Sequence, residues 1–452
     1  MKQSIILAVV TLSRLALVVL TQAYVVARLG VGLQTDALVA AAVLPQLLIS
    51  LSVTALSQVL VPLFTQHVRD PASEITVKTR DGVGVWTVFV VLLLFCAGLC
   101  LLLVATAGTW LPVLSPGFTS EGKALAITLA KIQVVGIVFA IPFASIWAKN
   151  CALGKLLRAE LVSLFASLVA LILTLLYLPV LGVAVAAIVF VLRPAIEVCV
   201  LLPTLGRWQG INLHLPILRE TWRRVRYLIA GSTYYGTESL VNQVLTSCAP
   251  HGSMSVFFLG LQLYNAQGLI VSRAIGAPAS AVLAQSAHAL RWRDFRAYYR
   301  SRMVWVFCVQ VLLAAGILIV GLPLLQWISR YTRISGDSVT LLWLTLVALT
   351  GVGFGNISFV TLAAFNAVGD TRTPTMLGVI SYTVYLPIKV AAFFAGGIVG
   401  LALAGSVFFL VNTVGQIWLL ERKVTRHIAS VAHTPAYVPD AILQPTQAHR
   451  TS

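Results

Sequence analysis

The chain has 452 residues, 59% hydrophobic and only 10% charged, with a mean hydropathy of +0.94. Soluble domains run near a quarter charged, so the composition argues against a water-soluble enzyme. Lys and Arg number 31 against 14 Asp and Glu, a net charge of +17. In a soluble chain that balance would point to nucleic acid. Here no nucleic-acid partner is expected, and the question is where the cations lie relative to a bilayer.

A helix needs about 20 apolar residues to cross the hydrocarbon core, and lipid cannot satisfy a bare backbone, so helices are required. Twelve spans are expected, at about 4–28, 36–64, 83–107, 124–148, 158–179, 181–204, 227–248, 253–287, 303–328, 338–366, 374–396 and 399–420. The first follows Lys2, carries Arg14 and lacks a small-residue cleavage site, so it reads as a retained membrane helix rather than a removed signal peptide. Pro45, Pro142, Pro194, Pro278 and Pro387 fall inside spans. Span 8 is long enough for its end to protrude from the membrane.

With the N-terminus inside, 22 cations fall on the cytoplasmic side and four (Arg28, Lys123, Arg330, Arg333) on the other. Positive charge collects on cytoplasmic loops, so both termini are expected to be cytoplasmic. The longest of these connections, 207–226, mixes Trp208, Ile217 and Trp222 with five arginines. It reads either as an amphipathic helix on an anionic leaflet or as a plain orienting loop. The tail from 426 to 452 is polar and expected to be disordered.

Two halves are visible. Cys151-Ala-Leu-Gly154 matches Asn366-Ala-Val-Gly369 at an offset of 215, Gly182 and its neighbours match Gly400 at 218, and Pro62 matches Pro278 at 216. Each half holds an even number of spans and enters the membrane from the same side. The repeats are therefore parallel, related by an axis along the membrane normal, a plan used by transporters that bind between the halves. The domains expected are a bundle at 1–206, the linker at 207–226, a second bundle at 227–425 and the tail.

The beginning of the chain carries a more specific signal: Ser13-Arg14, Gly30-Val-Gly32-Leu-Gln-Thr35-Asp36-Ala37, Leu44-Pro45-Gln46 and Ser57-Gln58-Val-Leu-Val61-Pro62. Gly252-Ser253-Met-Ser255 and Gly369-Asp370-Thr371-Arg372-Thr373-Pro374 follow in the second half. The series resembles the MurJ/MviN lipid II flippase family of the multidrug/oligosaccharidyl-lipid/polysaccharide exporter superfamily. That family usually has fourteen helices; this chain is expected to lack a C-terminal pair. The resemblance implies an all-α polytopic protein, two six-helix bundles around a cavity lined by spans 1, 2, 7 and 8. It also implies a flippase for a lipid-linked oligosaccharide or peptidoglycan precursor in a bacterial inner membrane.

Such substrates carry a pyrophosphate, which in a low-dielectric cavity demands charge-assisted donors, and the family supplies arginines. Arg14 matches the arginine of span 1. Ile49 stands where another arginine is expected, Thr54-Ala55 replaces a Glu-Gly, and Leu261-Gln262 replaces an Asp-Arg pair, with Asn265 nearby.

An ionisable group inside a span costs several kcal/mol, roughly 2.5–3.5 on insertion scales, so each needs an explanation. Arg14 is the first substrate-binding candidate, with a structural pairing as its alternative. Arg273 on span 8 is a relocated phosphate ligand or a snorkelling cation. Gln46, Gln262 and Asn265 are neutral donors for sugar hydroxyls or bridges between helices. Asp36 reads as a cap for its own helix or a partner for Arg28. Arg193 and Glu197, four apart, form a structural charge pair. Glu238 and Lys389 are an isolated buried acid and base in the second bundle, read as an internal pair or with Glu238 as a proton-coupling carboxylate.

Six cysteines (Cys96, Cys100, Cys151, Cys199, Cys248, Cys308) show no metal spacing. There is no G-x-x-x-x-G-K-[ST] and no H-E-x-x-H, so neither a cofactor, a metal nor an enzymatic role is expected. The partners expected are membrane lipids, the lipid-linked glycan and glycan-synthesis enzymes. Two rival readings remain: an organic-cation exporter of the same superfamily, and a non-transporting scaffold for glycan synthesis.

Overall fold

The computed structural model describes residues 2–69, 83–206, 208, 210–211 and 216–433. The described residues form helices joined by short turns, with no strand among them. Ten helices are long and apolar enough to cross a membrane. The expectation of twelve differs from that number for two physical reasons.

First, Arg372–His433 is one continuous helical stretch interrupted at Gly396 and Gly397, the latter at φ +58°. It is a hairpin: Tyr385 stacks on Phe408 at 4.4 Å between ring centroids. Such a contact is impossible along a straight helix rising 1.5 Å per residue. Second, Pro216–Ser247 is helical throughout its 32 residues but too polar to meet the criterion.

In chain order the helices that position the site are α1 (Lys2–Leu29), α2 (Leu33–Arg69), α3 (Val83–Ala105), α4 (Ala107–Leu114), α5 (Ser120–Gln133), α6 (Gly136–Ala152), α7 (Leu156–Leu181) and α8 (Ala184–Leu201). After them come α9 (Pro216–Ser247), α10 (Ser253–Val271), α11 (Ala277–His288), α12 (Trp292–Gly316) and the final hairpin. α2 keeps its helix through Pro45 and Pro62. Span 8 is divided by a π turn, Ser272–Gly276, where the backbone loses its i→i−4 register before Pro278.

Gly154 and Gly369 both take positive φ, +70° and +75°, and both end a helix before the next one starts. Gly182 at φ +68° has its counterpart in Gly397, 215 residues on and the same distance as separates the first pair. The turn geometry thus corrects the alignment with Gly400: the repeated element is the left-handed glycine, not the apolar string around it.

The apolar cores gather neighbouring helices, and one of them seats Met254 of α10 among Ala37, Ala40 and Ala41 of α2. Another gathers Leu60, Phe89, Ile137 and Leu201 from α2, α3, α6 and α8, and others gather Phe295 with Phe365 and Phe257 with Leu401. The basic stretch 216–226 forms the first turns of α9. Ile217, Thr221 and Val225 are buried at helical spacing while Arg219, Arg223, Arg224 and Arg226 stay exposed.

Candidate functional site

Both halves are tied together at the end of the bundle far from the N-terminus, here called the distal end. Asp36, in the first turn of α2, accepts hydrogen bonds from Gly252 N at 2.5 Å, Ser255 N at 2.8 Å and Ser255 Oγ at 2.6 Å. It thus caps α10 of the other half rather than its own helix, and Arg28 is not among these partners. Gln243 Nε2 on α9 donates to Ala40 O at 3.0 Å and to Ser115 Oγ at 3.1 Å. Arg333 N donates to Ala27 O at 3.0 Å. Gly252, at φ +91°, lies against Val31, so a side chain there would meet both strain and a clash.

Directly behind this seam lies a cavity of about 450 Å³ between α1, α2, α5, α6, α7, α8 and α10. Its walls are largely apolar. The polar groups reaching it include Gln22, Gln46, Gln133, Gln262, Arg193 and Glu197. Gln46 and Gln262, read from the sequence as candidate donors, therefore share one cavity. Asn265 is exposed elsewhere on α10 and lines no part of it. Arg273 stands on the π turn, and its side chain lies outside the described residues. No residue of α9 lines the cavity. Gly236 packs instead against Leu47 and Leu51 of α2, so the expected contribution of span 7 is replaced by α5 to α8.

Arg14 is also absent from the lining. Its Nε is 3.6 Å from Glu160 Oε2 near the start of α7, and Thr11 Oγ1 donates to the same oxygen at 3.4 Å. Arg193 Nε is likewise 3.6 Å from Glu197 Oε1. Arg14 lies close enough for its charge to act on both Arg193 and Glu197. The four groups form a two-rung ladder, the Arg193–Glu197 rung on the cavity wall and the Arg14–Glu160 rung behind it. Glu160 was not singled out from the sequence. Its signal was an acid at the start of the span expected at 158–179.

In the second half, Lys389 Nζ sits 2.7 Å from Glu238 Oε1, and Tyr385 OH donates to the same oxygen at 3.0 Å. The ammonium also lies 4.8 Å from the Tyr385 ring centroid. Lys389 is 1% exposed, so its charge depends on these partners. Tyr234 and Tyr382 close the box, with Thr383 and Thr237 as hydroxyl partners.

A family model described as lipid II flippase MurJ matches residues 25–441. The chain belongs to that family. Among solved structures it is similar to the lipid II flippase MurJ in an inward closed conformation, with a TM-score of 0.78 at 16% identity, covering 95% of this chain and 91% of that one. The inward-facing conformation of a multidrug resistance MATE family transporter gives 0.77 at 13% identity, over 94% and 99% of the two chains. A transporter of the same superfamily from Pyrococcus furiosus gives 0.62 at 14% identity, over 94% and 96%. No curated protein matches the chain. The MurJ fold is thus present with a cavity whose charged lining, among the described residues, is one Arg–Glu pair.

Proposed function

We propose that this MurJ-family membrane protein moves a lipid-linked oligosaccharide or peptidoglycan precursor across the bacterial cytoplasmic membrane by alternating access. The observation that carries the reading is the cavity itself. Amide side chains of Gln22, Gln46, Gln133 and Gln262 suit sugar hydroxyls, and the Arg193 guanidinium suits a phosphate. The bias of 22 cations to four supports cytoplasmic termini, which makes the sealed distal end the outer one. The hydrogen-bonded seam then closes the outside while substrate enters from within, and transport requires the seam to part.

On this reading residues 1–206 and 227–425 are the two bundles, and 207–226 is the basic connection at the inner leaflet. The Glu238–Lys389 pair acts as an internal counter-charge in the second bundle, holding that region neutral without a bound cation. Membrane lipids are direct partners, and glycan-synthesis enzymes supply the substrate. An organic-cation exporter needs an acid left free in the cavity, and here Glu197 already faces Arg193.

Purified protein in liposomes, assayed for flipping of a polyprenyl-pyrophosphate-linked sugar against uptake of an organic cation, tests the proposal. Movement of the lipid-linked sugar alone supports it. Uptake of the cation alone supports the exporter, and movement of neither supports the scaffold.

A further inference from the structure

The ladder of charges in the first half is balanced before any substrate arrives. Arg14 faces Glu160 and Arg193 faces Glu197, two cations against two carboxylates. The rung on the cavity wall is loosely made. Its closest approach is 3.6 Å, beyond hydrogen-bond length, and the Glu197 Oε1 atom is buried without a hydrogen-bond partner. Arg193 retains 30% side-chain exposure toward the cavity, whereas Glu197 keeps 9%. The cation is therefore the accessible member, and the acid is the one sealed behind it.

A phosphate-type anion that reaches Arg193 competes with Glu197 for the same guanidinium. Negative charge brought beside a carboxylate in a low-dielectric cavity makes uptake of a proton by that carboxylate the cheapest way to relieve the repulsion. The groups facing Glu197 are Arg193 on its own helix, Arg14 from α1, and Glu160 with the Ser163 hydroxyl from α7. From α5 comes the amide of Gln133, and from α6 the apolar Ala140 and Phe143. Lys149, the nearest cation of α6, is held at the helix end by Leu205 O at 2.8 Å. Arg14, 3.6 Å from Glu160 and also close to Glu197, is shared between two carboxylates, so a Glu197 displaced from Arg193 keeps only part of one cation among these described neighbours.

We infer that Arg193 and Glu197 form a proton-linked anion site: a pyrophosphate-type headgroup engages the Arg193 guanidinium, and Glu197, released from it, takes up one proton from water. The inference rests on the lipid-pyrophosphate reading above and assigns it a site and a linked ion. No bond of the substrate is made or broken; one proton passes from solvent to a Glu197 carboxylate oxygen, and it leaves when the anion does. The pair thereby turns from a structural bridge into the place where substrate charge and proton are exchanged.

The test is calorimetry of farnesyl pyrophosphate binding to the full-length protein in detergent, in two buffers of different ionisation enthalpy. Wild-type protein should take up about one proton per anion bound, with affinity falling about tenfold per pH unit where uptake is complete. The isosteric Glu197→Gln variant should bind at least as tightly at neutral pH, with uptake abolished and affinity flat with pH. Arg193→Gln/Glu197→Gln, which leaves no orphaned acid, should lose binding at least tenfold while unfolding at a temperature close to that of Glu197→Gln. Proton uptake that persists in Glu197→Gln, or binding unaffected in the double variant, overturns the site. A wild-type protein that binds no pyrophosphate at all overturns the substrate reading on which it rests.

Discussion

Replacing Lys389 with Met keeps the length of the side chain but removes the ammonium from a position that is 1% exposed. At an effective dielectric of about 20, two unit charges 2.7 Å apart attract by roughly 6 kcal/mol. Desolvating both groups returns about half of that, leaving a net coupling on the order of 3 kcal/mol. Lys389→Met should therefore cost about 3–5 kcal/mol, because Glu238 is left without its cation. Glu238→Gln should cost at least as much, since it leaves the Lys389 ammonium, 1% exposed, without its counter-charge, whereas the Glu238 carboxylate keeps 27% exposure. In Lys389→Met/Glu238→Gln no charge remains to be compensated, so the double variant should be more stable than Lys389→Met. SDS titration in mixed micelles, followed by loss of helicity, gives the free energies of the cycle. A coupling below about 0.5 kcal/mol is what independent sites show, and that value would refute the pair as an internal counter-charge.

Removing the charge at Asp36 should loosen the distal seam: Asp36→Asn is expected to cost about 1–3 kcal/mol through weakened bonds to Gly252 and Ser255. A cysteine introduced at Ala40, fully buried beneath Gln243, should then become reactive to a membrane-impermeant maleimide, where the Asp36 parent is protected. Burial pulls the Asp370 carboxyl up, but Lys423 at 2.6 Å and the N–H and hydroxyl of Thr373 outweigh it and hold the group at about 2. Its folded value lies below the ordinary 3.8, so the stabilisation is present above that pH and lost as pH falls toward 2. Lys423→Met should flatten the pH dependence of unfolding within that window. Gly397→Ala, at φ +58° and ψ −141°, should cost about 1–3 kcal/mol, measured by thermal unfolding, and Gly396→Ala at φ −141° much less.

Helical spans were legible because a bilayer demands long apolar runs, and the run itself is the signal. The last hairpin was legible as well: the spans expected at 374–396 and 399–420 meet at Gly396 and Gly397, where the chain reverses. α9 shows the opposite case, since Tyr, Thr and Gln dilute its apolar pattern yet find partners inside the bundle. Site residues divided similarly. Arg193 and Glu197 were legible as a pair because four residues on a helix make neighbours, and their place on a cavity wall was not. Asp36 and Ser255 are 219 residues apart, and no local pattern announces a cap supplied by another half of the chain. The Glu238–Lys389 contact was reachable only by counting charges: a lone acid and a lone base in one bundle have few alternatives to each other.

The seam at Asp36 has a thermodynamic character that its geometry alone does not display. Its donors are backbone amides and a hydroxyl at the first turn of a helix, and its acceptor is a carboxylate at the first turn of another. Each of these groups is well served by water once the two surfaces part. Opening therefore trades protein partners for solvent partners, one for one, instead of stranding charge in an apolar interior. A gate assembled from large apolar plugs would pay the full hydrophobic penalty on every cycle. Met254, buried among Ala37, Ala40 and Ala41, gives this seam an apolar share, and the exchangeable bonds beside it lower the bias that a headgroup arriving in the adjacent cavity has to supply.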